Sequence, residues 1–107
     1  MAEIHLSGIA RIDRVVAQFD IWLDSDLFPI PKMKTKVLRR TDDYVAVSNL
    51  IRRDRATGFP DGIAGLGSTP DEALSDLLMR FIADARASMP PNGFIESDFS
   101  WSAAEDF

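Results

Sequence analysis

The chain has 107 residues, no cysteine, 46% apolar and 27% charged side chains, and a net charge of −5. That length and balance describe one domain with a single small core, and exclude a fibrous or intrinsically disordered chain. The missing cysteine excludes disulfides, thiolate zinc sites, iron–sulfur clusters and cysteine nucleophiles, and no apolar run reaches the roughly 18 residues of a membrane span.

In chain order, the first pattern runs from Gly8 to Asp24. Apolar residues fall at Ile9, Ile12, Val15, Val16, Phe19, Trp22 and Leu23. Spacings of three and four predict a helix with Ser7 as its cap, while the β-branched content leaves a strand from Val15 to Leu23 as the competing reading. Pro29 and Pro31 end the element in either case. Met33–Arg40 and Tyr44–Ile51 then read as two strands of a hairpin, joined at Thr41-Asp42-Asp43, where Asp side chains bond their own backbone. The stretch from Arg52 to Gly62 is polar, with two glycines and a proline, and reads as a loop. A third strand, Ile63–Leu66, leads into the clearest signal in the chain.

That signal is Thr69-Pro70-Asp71-Glu72-Ala73-Leu74. Thr69 is placed to cap a helix, Pro70 supplies the preset φ of its first residue, and Glu72 stands at the reciprocal position of a capping box. Ala73, Leu74, Leu77, Leu78, Phe81, Ile82 and Ala85 form one apolar stripe, and Pro90-Pro91 stops the helix near Ser88. The elements order as helix, strand, strand, strand, helix, tail. They predict an α+β two-layer domain over residues 1–92, a three-stranded antiparallel sheet packed by two helices, followed by an acidic–aromatic tail over 93–107.

Asp42-Asp43-Tyr44-Val45-Ala46-Val47 and Gly65-Leu66-Gly67-Ser68-Thr69-Pro70-Asp71-Glu72-Ala73-Leu74 together resemble the sheet-and-helix domain of the HicB antitoxin family, over roughly residues 34–86. The resemblance implies an antitoxin-like protein that occupies a partner protein. The DNA-binding helix-turn-helix or ribbon-helix-helix segment usual in that family has no counterpart here, and the Arg52–Gly62 loop replaces a shorter Pro-Gly connection.

Charge is unevenly distributed. Residues 32–55 hold eight basic side chains against Asp42, Asp43 and Asp54, for +5, while residues 93–107 hold Glu96, Asp98, Glu105 and Asp106 with no basic residue, for −4. The tail alternates acids with large aromatics and ends on Glu105-Asp106-Phe107, similar to the partner-recruiting tail of single-stranded-DNA-binding proteins. Exposed aromatics suit interface anchors and acids suit steering. The expected contacts are therefore Asp98, Phe99, Trp101, Glu105, Asp106 and Phe107, docking into a basic groove on a protein partner. The competing structural reading folds Phe94, Phe99 and Trp101 back onto the core.

A second reading assigns Lys34, Lys36, Arg39, Arg52, Arg53 and Arg55 to nucleic-acid contact through phosphates. The acidic total and the lack of interleaved aromatics other than Tyr44 weigh against it. A homodimer through a sheet edge is also left open. Catalysis is not expected. The single histidine is His5, close to the start of the sequence, and the acid pairs Asp24/Asp26, Asp42/Asp43 and Asp71/Glu72 suit turns and a helix start. The glycines at 62, 65 and 67 fit neither a dinucleotide fingerprint nor a P-loop, and no metal-ligand spacing or cofactor motif occurs. Met1–His5 lacks the basic-then-apolar pattern of a secretion signal, so the expected setting is the cytoplasm of a bacterium or a phage host.

Overall fold

Strand formers dominate the first half of the chain, and they pair. The computed structural model describes residues 6–58, 60–102 and 107. Its elements are β1 (Arg14–Trp22), β2 (Lys32–Arg39), β3 (Tyr44–Ser48), β4 (Leu50–Arg53), β5 (Pro60–Asp61), β6 (Ala64–Gly67), α1 (Pro70–Ser88), a 3-10 turn at Glu96–Asp98, and β7 (Phe99–Trp101). The fold class is α+β.

Several expectations are corrected; the predicted strand Tyr44–Ile51, for one, divides at Asn49 into β3 and β4, which belong to different sheets. Residues 14–22 form a strand, close to the competing reading of Val15–Leu23 and not the helix, so among the described residues one long helix packs the sheet instead of two. The main sheet has four antiparallel strands in the order β1-β2-β3-β6, and a second sheet runs β5-β4-β7. The predicted loop from Arg52 to Gly62 therefore contains the end of β4 and all of β5. The third predicted strand is present one residue later, as β6. The β2–β3 hairpin pairs Arg39 with Tyr44 through Thr35 with Ser48, and Arg40 N–H closes its turn onto the Asp43 carbonyl.

The predicted helix spans Pro70–Ser88. Thr69 Oγ1 accepts the Glu72 N–H at 3.1 Å, while the Glu72 carboxylate reaches back to the Ser68 N–H at 2.9 Å. Its N-terminal half lies on the main sheet, where Ala73 and Leu77 meet Val37 and Ala46. This approach is very close: a Cβ on Gly65 would overlap the Ala73 carbonyl oxygen and the Leu77 backbone, and one on Gly67 would overlap Ala73 and Glu72. Glycine is required in β6 because backbone packs on backbone there. The C-terminal half of α1 joins a second cluster, in which Phe81 and Ala85 pack with Phe28, Ile30, Met33, Leu50 and Phe99. Phe28 stacks on Phe81 with ring centroids 5.4 Å apart.

β7 completes that second cluster. Leu50 pairs with Trp101 and Arg52 with Phe99, so the segment expected to be a tail is a strand through Trp101. Phe99 is 7% exposed, 5.3 Å from Phe94 and 6.0 Å from Phe28 between ring centroids. The folding-back alternative holds for Phe99, and Phe94 is packed against the same cluster.

Candidate binding face

Alternation along β2 sorts its side chains. Met33, Thr35 and Val37 are buried under the helix, and Lys32, Lys34, Lys36 and Leu38 take the opposite face. The register extends that outer face across the sheet. Trp22 lies across from Lys32, Asp20 from Lys34 and Val15 from Leu38, while Val47 and Val45 lie across from Lys36 and Leu38. Leu66 and Ala64 continue the row on β6. The face therefore has a lysine stripe along β2 and an apolar field on β3 and β6, with Leu66 among the exposed large apolar residues.

Over this face lies a hollow of about 420 Å³, lined by residues that include Lys36, Leu38, Val45, Val47, Arg11 and Phe107. The Phe107 ring sits 4.6 Å from Lys36 Nζ, and Lys36 Nζ donates to the Phe107 main-chain oxygen at 3.4 Å. An aromatic residue from the acidic end of the sequence thus rests on the basic face of the same chain. The arrangement holds an aromatic ring by cation–π attraction beside aliphatic side chains.

The remaining sequence-predicted residues fall in different places. Arg39 leans on the Tyr44 ring and donates to its hydroxyl at 3.1 Å. Arg52 forks onto Asp84 of α1, with Nη2 to Oδ1 at 3.1 Å. Arg55 forks onto Asp98 through Nε at 2.9 Å and Nη2 at 2.8 Å, and Asp98 also accepts the Ile95 N–H at 2.9 Å. Arg53 is exposed. The predicted nucleic-acid set is thus divided between two sheets, and two of its arginines are matched by carboxylates.

Of the predicted tail contacts, Asp98 and Phe99 are buried and hold the segment to the domain, so they are not available to a partner while the fold is intact. Trp101 is 53% exposed at the end of β7. Glu105 and Asp106, like His5, lie outside the described residues.

The electrostatics follow the same contacts. Hydrogen bonds from Arg55 hold the Asp98 carboxyl below the usual carboxylate range, against the opposing effect of its burial. The Leu66 N–H does the same for Asp76, and the Arg40 fork does so for Asp43. Each of these acids has a structural partner. Among the described residues no group of three or more His, Cys, Asp or Glu is placed to hold a metal ion, and no helix is long and apolar enough to cross a membrane.

The lysines were legible in the sequence. The apolar half of the face was not, although Val45 and Val47 flanking the buried Ala46 carry the alternation that could have shown it. No family model, no curated protein and no solved structure matches the chain.

Proposed function

We propose that this protein is a non-enzymatic protein-binding module, an inhibitor or antitoxin-like protein that occupies its partner through the outer face of the four-stranded sheet. The observation that supports this reading is Phe107, seated beside Lys36 in the hollow that Leu38, Val45 and Val47 also line. A partner segment with aromatics between acids has the chemistry of that occupant. Its aromatics would provide affinity by desolvation on the valines, and its acids would speed encounter with the lysine stripe. This reverses the charge roles expected from the sequence, because the basic groove belongs to this chain. Nucleic-acid binding is the weaker reading, since Arg52 and Arg55 are tied to Asp84 and Asp98 and the face is half apolar.

The test is fluorescence anisotropy with a labelled peptide alternating Asp or Glu with Phe or Trp, against duplex and single-stranded DNA. The peptide should bind at physiological ionic strength and weaken with added salt. Lys36→Glu and Val45→Asp should each weaken it about tenfold or more, the scale of a lost interface anchor. Phe107→Ala should tighten it by removing an internal competitor. DNA binding tighter than the peptide, or peptide binding indifferent to both face variants, would overturn the reading.

A further inference from the structure

The two edges of the four-stranded sheet are treated differently. On β6, a strand of four residues, the Leu66 N–H donates to the Asp76 carboxylate of α1 at 2.9 Å, so the helix blunts that edge. At the other edge, β1 is nine residues long and pairs only with β2 among the described residues. Its Val15, Val16 and Trp22 are exposed, Trp22 by 74%. Long edges of this kind template pairing with another strand, and proteins that stay monomeric normally blunt them. The bulge between Val15 and Ala17 interrupts only the start of β1, and the run from Ala17 to Trp22 is regular.

Two further features lie at opposite ends of β1. Before it, residues 6–13 form an arm whose Leu6, Ile9 and Ile12 are 44–63% exposed. The radius of gyration is 15.4 Å, against about 13 Å for a compact chain of this length. After β1, a groove of about 640 Å³ opens between the strand end, the turn through Leu27 and the C-terminal half of α1. Trp22, Leu27, Phe28, Ile82 and Met89 line it, with Asp24 and Asp26 among its polar residues.

We propose that two copies of this chain pair antiparallel through β1 and exchange their arms, each arm lying in the groove of the other copy. Antiparallel pairing about a two-fold axis sets the start of one β1 beside the end of the other. The arm of the first copy then continues past Trp22 of the second and over its groove. Eight residues reach about 26 Å when extended, enough to run from the strand end across the turn. Ile9 and Ile12 supply aliphatic groups for a groove walled by aromatic and aliphatic side chains. Arg11, which within one copy pairs with its own Asp13 at 3.0 Å, would exchange that partner for Asp24 and Asp26, two acids that share the groove with one cation, Arg86. Donor and acceptor surfaces occur on the same chain in the order a two-fold requires, and both copies gain equally, as in an isologous dimer. Arg11 lines the hollow over the lysine face and Trp22 stands across from Lys32 on that face, so the two surfaces adjoin. Lys36 and Val45 belong to the first alone and Ile9 and Ile12 to the second alone, and variants at those positions let either reading fail without the other.

Sedimentation equilibrium of the full chain tests it. The wild type should show twice the 11.9 kDa chain mass as concentration rises. Ile9→Asp combined with Ile12→Asp should raise the dimer dissociation constant about a hundredfold, as two interface anchors do. These side chains are exposed, so thermal midpoint and circular dichroism at low concentration should stay those of the wild-type monomer. Arg11→Asp should weaken the dimer, and adding Asp26→Arg should restore it. A wild type that stays monomeric at every concentration, a dimer indifferent to the arm variants, or no restoration in the charge swap would overturn the proposal.

Discussion

Truncating Phe99 asks whether the last strand is part of the fold or an appendage. The side chain is 7% exposed, in ring contact with Phe94 and Phe28, and on the strand that pairs with β4. Removing a buried phenyl ring from such a site costs about 3–5 kcal/mol, transfer and cavity together. At about 4 °C per kcal/mol for a domain of this size, Phe99→Ala should lower Tm by about 12–20 °C. Trp101, two residues on and 53% exposed, is the internal control, and Trp101→Ala should cost about 1 kcal/mol or less. Urea melts followed by circular dichroism measure both, with the m-value checked for constancy so that midpoint shifts report stability. If the two variants melt together, within about 1 kcal/mol of the wild type, β7 does not close the core and the placement of Phe99 is wrong.

Gly65→Ala should destabilise by about 1–3 kcal/mol or more, because the new Cβ meets the helix backbone, which cannot step aside as a side chain would; urea melts check it. Leu77→Ala should cost about 2–5 kcal/mol and Thr69→Ala about 1 kcal/mol, and the reverse ranking in the same melts would refute the packing of α1. The Thr35 hydroxyl is buried without a partner among the described residues, so Thr35→Val should leave stability unchanged or raise it by about 1 kcal/mol in thermal melts. Asp98 titrates below its ordinary value in the fold, so its contribution is complete above the unfolded carboxylate value near about 3.9 and is lost as pH falls through the lower folded value. Asp98→Asn should therefore flatten the acid limb of a stability–pH curve, and an acid limb identical to that of the wild type would refute the Arg55–Asp98 pairing.

What the sequence made legible was local. Thr69, Pro70 and Glu72 act within one helical turn, and Thr41-Asp42-Asp43 joins strands that alternate on either side, so α1 and the β2–β3 hairpin could be read from neighbouring residues. Residues 14–22 support both a helical and a strand reading for an identifiable reason, and the fold adopts the strand. The pairing with β2 shifts between Val15 and Ala17, and that bulge breaks the two-residue alternation where the strand begins. The broken pattern then matches helical spacing at Val15, Val16 and Phe19. β7 carries no readable signal and β4 is legible only at Leu50 and Ile51, as the end of the strand read over Tyr44–Ile51, because four and three residues are too few to show a period and their pairing spans some fifty positions. For the same reason Arg52 and Arg55 read as free cations: Asp84 and Asp98 are 32 and 43 residues away in sequence. At the candidate face the lysines were visible as charge, whereas the valines beside them became a surface only once the strand register was known.

The pairing of β4 with β7 also orders events during synthesis. The main sheet and the N-terminal half of α1 take no strand and no core partner from beyond Ser88, so they can assemble as soon as that length of chain is free. The second cluster has to wait for Phe99, and at about 5–20 residues per second the interval from β4 to β7 lasts about 2–10 s. Through that interval Leu50 and Phe28, joined by Phe81 once α1 is made, lack one of their walls, and β4 lacks the neighbour that later covers its edge. The growing chain therefore carries an open strand edge and an unfinished cluster until Phe99–Trp101 add the last strand.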